Sequence, residues 1–183
     1  TTGVTLMKMD VGLDTGPILS QRSLTIASDD TQESLAARLA RLGADLLRDT
    51  LPDWLAGKIK PQPQDDALVT LAPQIKKEQG RINWGNPADD IARQVRAFHP
   101  WPGAFTCWHN MPLKIVRAVA AEGPAGMEPS GPPGTVIAGP DGPMVVTGRG
   151  WLRLLEVQPS GKRPMPAEAF ARGARGFVGD RLA

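Results

Sequence analysis

Thr2-Gly3-Val4-Thr5-Leu6-Met7-Lys8-Met9-Asp10-Val11-Gly12-Leu13-Asp14-Thr15-Gly16-Pro17 is the stretch whose reading decides the fold. Val4, Leu6, Met7 and Met9 bring an apolar strand to a loop that holds two acids, two glycines and a proline. Loops at the ends of rigid strands favour chemistry, because their backbone is not committed to ladder hydrogen bonds. Gly12 and Gly16 suit positive φ, or the close approach of a flat ligand to main-chain groups. Asp14 belongs at the apex. A plainer reading stands beside this one: an acid next to glycine commonly closes an Asx turn on its own backbone.

Outward from the loop, residues 17–26 alternate loosely and are rich in strand formers, which predicts a returning strand. Asp30 with Glu33 three residues on has the form of a capped helix start. Leu35, Leu39, Leu42, Leu46 and Leu47 then recur at helical spacing, with charged residues opposite. Pro52 predicts a kink or a fresh start near Leu51, and Gly57 ends the run. Residues 57–66 are rich in Pro and charge and mark a domain boundary. Residues 68–73 read as a short extended piece.

Beyond the boundary, Lys76, Lys77 and Arg81 form a basic cluster. Asn86-Pro87 predicts a helix with Asn as cap and Pro at its first position, followed by Asp89 and Asp90 at the positive end of the dipole. Ile91, Val95 and Phe98 are its buried stripe, and His99-Pro100 ends it. Five short strands follow, at 104–109, 113–119, 134–138, 144–147 and 151–157, with tight connections at 110–112 and 139–142. That spacing predicts a small barrel. Residues 121–133 read as a mobile loop, and 167–172 as a short helix.

Length allows one good core or two small ones in 183 residues. The net charge of +2 hides an asymmetry: residues 1–75 carry 7 basic and 10 acidic side chains, residues 76–183 carry 14 and 9. The basic half is the one suited to a polyanion. One cysteine, Cys107, leaves no internal disulfide and fits a reducing cytoplasm. His99 and His109 have no partners at metal-ligand spacing; His99 reads as packing at a helix end and His109 as solvated. No stretch approaches the length of a membrane span. The first strand opens the sequence with no Met before it, which reads as a fragment.

The first sixteen or so residues resemble the strand and loop of folate-dependent formyltransferases. Lys76-Lys77-Glu78, Arg81-Ile-Asn-Trp84, Arg96-Ala-Phe-His-Pro-Trp-Pro-Gly103, Pro133-Gly-Thr135 and Leu154-Leu-Glu-Val-Gln-Pro-Ser-Gly-Lys162 resemble, in order and spacing, the C-terminal domain of the methionyl-tRNA formyltransferase family. The resemblance implies an α/β Rossmann-like remnant over 1–57, a linker at 58–75, and an OB-like β-barrel domain with flanking helices over 76–183 that binds tRNA.

It also implies a translation-initiation enzyme of the cytoplasm, monomeric when intact. Such an enzyme passes a formyl group from 10-formyltetrahydrofolate to the methionine of initiator tRNA, without a metal. Asp14 matches the catalytic aspartate, while Asp10, Val11, Gly12 and Leu13 match the folate-holding main chain. Lys76, Lys77, Arg81, Arg96, Lys114, Lys162 and Arg163 are the tRNA-binding candidates, with Arg93 and Arg117 behind them. Trp84, Trp101, Trp108 and Trp151 serve either base stacking or the core. The family's catalytic Asn and His lie before the opening strand, so these residues alone are expected to be inactive. Two other readings stay open: transfer to an amino-sugar nucleotide, and a tRNA-binding module without chemistry.

Overall fold

The computed structural model describes residues 1–123 and 131–183. The chain divides into two compact units, Thr1–Gln74 and Ile75–Ala183. Most of the loop expected at 121–133 lies outside the described residues.

In the first unit, β1 (Thr2–Met7) and β2 (Ile18–Leu24) form an antiparallel pair in the register Thr2↔Leu24, with an irregularity between Leu6 and Met7. α1 (Gln32–Leu55) packs on both strands. Gly43 sits over Val4 with room for little more than a Cβ, 3.4 Å from its Cγ1. The helix start differs from the expectation by one residue. Thr31 is the cap, and its hydroxyl and the Ser34 side chain bond each other's backbone N–H groups. Asp30 is not the cap: its carboxylate accepts from the Ala27 N–H and the Ser34 hydroxyl and pairs with Arg38.

Pro52 neither breaks nor restarts the helix, which continues to Leu55. It removes one donor near the end of the run, and the Ala56 N–H still reaches the Pro52 carbonyl at 3.0 Å. Leu47 was expected inside and is 48% exposed, because it lies about 100° round the helix from buried Leu46. Residues 58–74 stay with the first unit: Gln62 bridges Ile18, and the expected extended piece is a 3₁₀ turn at Asp66–Leu68 followed by irregular chain.

Among the described residues the second unit contains α2 (Ala88–Ala97) and α3 (Ala167–Gly173) with six strands: β3 (Ala104–Trp108), β4 (Met111–Ala121), β5 (Val136–Gly139), β6 (Gly142–Val146), β7 (Trp151–Pro159) and β8 (Met165–Pro166). The sheet order is β3-β4-β7-β6-β5, with β8 on β7. The turn expected at 110–112 is instead the two-residue pair His109-Asn110, both at positive φ (49° and 61°), with Met111 and Pro112 already in β4. Such a pair matches the twist of the strands it joins.

Asn86 does not cap α2. Pro87 takes that position with no side-chain cap, and the Ala88 N–H is satisfied by the Arg149 carbonyl at 2.9 Å. The core joins Ile91 and Val95 of α2 to Ile115, Val136, Val145, Leu152, Leu154 and Val157 of the sheet and to Phe177. Both end strands of the sheet bond the last residues of the sequence. Cys107 of β3 exchanges two backbone bonds with Ala183, at 2.8 and 3.0 Å. On the other side, the Leu182 N–H donates to Gly134 and the Val136 N–H to Asp180.

Candidate functional site

The loop after β1 is closed at its base by the Lys8 N–H on the Pro17 carbonyl, 2.9 Å. Asp10 shapes its interior: one carboxylate oxygen accepts the Gly12 N–H at 3.0 Å and the Thr15 hydroxyl at 2.6 Å. The Asx turn is therefore realised, at Asp10. Asp14 is exposed at the apex, and the positive φ of the loop is its own, 57°, rather than that of Gly12 or Gly16. The two glycines serve close approach instead, since a Cβ on Gly16 would lie 1.8 Å from the Lys8 carbonyl oxygen. Val11 and Leu13 stand fully in solvent beside Asp14.

Sequence reasoning missed Gln64. Its amide donates to the Asp14 carbonyl at 2.8 Å and to the Gly16 carbonyl at 2.7 Å, fixing the apex from a segment about fifty residues away. No local pattern in a Pro-rich stretch announces such a contact.

In the second unit, a 3₁₀ turn at Lys77–Gly80 presents the basic cluster. Gln79 returns its side chain to the Lys76 N–H at 2.6 Å, and Gln94 of α2 donates to the Gln79 carbonyl at 3.0 Å. Gly80 is pressed against the chain at Gly103, where a Cβ would come within 2.3 Å of the Gly103 oxygen. Gly103 in turn has φ +80° and carries the Lys114 stem across its Cα, so that the Lys114 ammonium reaches the Pro100 carbonyl at 3.1 Å. These approaches bring Lys77 and Lys114 to the walls of one groove of about 540 Å³, completed by the turn at 158–161.

Lys162 and Arg163 are exposed just beyond that turn, which the Lys162 N–H closes on Pro159. Lys76 and Arg81 are exposed, while Arg96 is half-buried with its guanidinium on the Ala92 carbonyl at 3.3 Å. None of these five lines the groove. Arg93 is engaged with Asp90, and Arg117 stands opposite Glu156 in the sheet.

Three tryptophans are structural. Trp84 donates to Thr106 at 3.0 Å in the core, Trp151 is buried, and Trp108 donates to Asp180 at 2.9 Å. Trp101 is 59% exposed. His109 is not simply solvated: it stacks on Trp108 with ring centroids 4.4 Å apart and bonds Asp180 at 2.6 Å. The Arg181 N–H, the Trp108 indole and His109 together hold the Asp180 carboxyl below the usual carboxylate range. Among the described residues, no group of three or more His, Cys, Asp or Glu is placed to hold a metal, and no helix is long and apolar enough to cross a membrane.

The sequence pattern of the family described as "Formyl transferase, C-terminal domain" matches residues 74–175, and that described as "Formyl transferase" matches residues 1–51. The methionyl-tRNA formyltransferase of Roseiflexus sp. (strain RS-1) is 46% identical over 182 residues, covering 99% of this chain and 55% of the relative. That of Myxococcus xanthus (strain DK1622) is 50% identical, covering 94% of this chain and 54% of the relative. The chain thus spans about half the length of these relatives. The crystal structure of HypX from Aquifex aeolicus in complex with tetrahydrofolic acid shares the fold, with a TM-score of 0.69 at 20% identity over 97% of this chain and 31% of that one. The matched pattern covers the 3₁₀ turn, the groove and every strand of the second unit, and the chain belongs to the formyl transferase family.

Proposed function

We propose that this chain is the part of a methionyl-tRNA formyltransferase that ends the formyl-transfer domain and carries the acceptor-binding domain. The identity of 46–50% to relatives of that name, running through both units, is the observation that supports it. On this reading 1–57 is the Rossmann-like remnant, 58–75 the connection, and 76–183 the tRNA-binding domain. The pairing of Asp180, Leu182 and Ala183 with both ends of the sheet supports a closed OB-like barrel. The enzyme acts in the cytoplasm, on initiator methionyl-tRNA and 10-formyltetrahydrofolate, as a monomer.

The chemistry is acyl transfer. The methionine amine attacks the formyl carbon, a tetrahedral oxyanion forms, and the tetrahydrofolate nitrogen leaves with a proton. Such a step needs oxyanion stabilisation and a proton path. Asp14, unburied and held by its backbone rather than its side chain, keeps its carboxylate available to orient a histidine and order a water. Asp10, Val11, Gly12 and Leu13 hold the folate through their main chain, in a loop that the Asp10 carboxylate shapes.

Lys76, Lys77, Arg81, Arg96, Lys114, Lys162 and Arg163 act on tRNA chiefly through phosphates. The affinity falls about a thousandfold or more between low and moderate salt if six to ten phosphates are met. Replacing Lys76 and Lys77 with alanine lowers the slope of log affinity against log salt by about 2. The titration is read by fluorescence anisotropy with initiator tRNA. An unchanged slope overturns the phosphate assignment, and an intact enzyme that formylates an amino-sugar nucleotide but not methionyl-tRNA overturns the function.

A further inference from the structure

The groove beside Lys77 and Lys114 differs from the rest of the basic surface. Its floor and walls are largely apolar: Pro102, Phe105, Pro112 and Pro159 line it together with the two lysines. Its volume of about 540 Å³ falls within the range of small-molecule sites. A face that merely tracked a phosphate backbone needs cations and no such apolar floor. An apolar floor with cations at its walls suits a ligand that is aromatic at one end and anionic at the other. Nucleic acid offers that shape when one nucleotide leaves the stack.

We propose that this groove binds a single unstacked ribonucleotide, its base against Phe105 and the prolines and its phosphate between Lys77 and Lys114. The assignment rests on the tRNA reading above for the source of the nucleotide. Polar groups on the wall meet the edge of the base. Glu78 lines the groove, and a carboxylate is an acceptor only. Gln158 also lines it; one of its two amide N–H groups is engaged with the Lys162 carbonyl at 2.8 Å, which leaves one N–H and the oxygen, and the Ser160 hydroxyl both donates and accepts. Adenine, cytosine and guanine donate through an exocyclic amine and uracil through its N3–H, so the groove takes any of the four bases.

The full 183-residue chain is titrated with the four ribonucleoside 5′-monophosphates and with ribose 5-phosphate, followed by amide NMR. Shift changes are expected at 77–80, 103–105, 114 and 158–161. The four nucleotides bind about fivefold to a hundredfold more tightly than ribose 5-phosphate, the range of base stacking on an aromatic ring. Phe105→Leu brings the nucleotide down to the level of ribose 5-phosphate. Lys114→Gln weakens both ligands and Lys114→Arg restores them. These exchanges leave a folded spectrum to check against.

Equal binding of nucleotide and ribose 5-phosphate, or shifts centred elsewhere, overturns the proposal. If tRNA binds but no mononucleotide perturbs the groove, the proposal falls and the tRNA reading stands. Nucleotides bound in the groove of a chain that does not bind tRNA keep the site and overturn only that reading.

Discussion

The two units treat apolar surface in opposite ways. In Ile75–Ala183, Ile91, Val136, Val145, Leu152, Val157 and Phe177 have no measurable exposure. In Thr1–Gln74, Leu46 is the one large apolar side chain that is buried among the described residues, while Met9, Leu55, Leu68 and Leu71 are each more than three-quarters exposed. One unit owns a core. The other has strands, a capped helix and a well-bonded loop, but a single layer of packing beneath them. Regular hydrogen bonding without burial leaves chain entropy unopposed.

The sharpest way to break this contrast is to separate the units. Residues 75–183 are expected to melt in one cooperative transition by circular dichroism, with dispersed amide resonances. Residues 1–74 are expected to show no cooperative transition at all. A sharp melt of 1–74 would mean that the exposed leucines are not the deficit they are taken to be here.

Next in size comes the effect of removing one leucine from each unit. Leu152→Ala empties a site of zero exposure on the strand that joins β4, β6 and β8, and costs about 2–5 kcal/mol. Leu51→Ala trims a side chain that is already 43% exposed and stays within about 0.5 kcal/mol. Urea midpoints of the whole chain, followed at a probe in each unit, measure both. Comparable losses would show that Leu51 is covered in solution.

What was readable in the sequence divides along the same line. Apart from the two-residue β8, the strands and both longer helices announced themselves by apolar spacing, because burial acts on every second or every third and fourth residue. Their ends were misplaced by one residue at Thr31 and Pro87, and at Pro87 the reason is remote: the Arg149 carbonyl does the work that Asn86 was expected to do. Nothing in Asp180-Arg181-Leu182-Ala183 reads as a strand, yet that segment bonds Cys107 and Gly134. Lys77 and Lys114 were legible one at a time. Their sharing of a groove depends on Gly80 and Gly103 meeting backbone to backbone, a contact across more than twenty residues that no spacing encodes.

The smallest effect tests how the self-sufficient unit is fastened. Asp180 receives the Arg181 N–H at 2.8 Å, the Trp108 indole at 2.9 Å and His109 at 2.6 Å, just where the last residues begin to pair with the sheet. These donors favour the ionised carboxylate, so its folded pKa lies below that of the unfolded chain. The stabilisation is complete above the unfolded value of about 3.9 and is lost as the pH falls through the lower, folded value. Asp180→Asn keeps the shape and removes the charge together with one of the two acceptor oxygens. Its melting temperature should sit slightly below that of the parent at pH 7, and the two should converge as the pH falls through the folded value of Asp180. Curves that stay parallel through that window would mean that the three donors hold the segment by geometry alone, with charge contributing nothing.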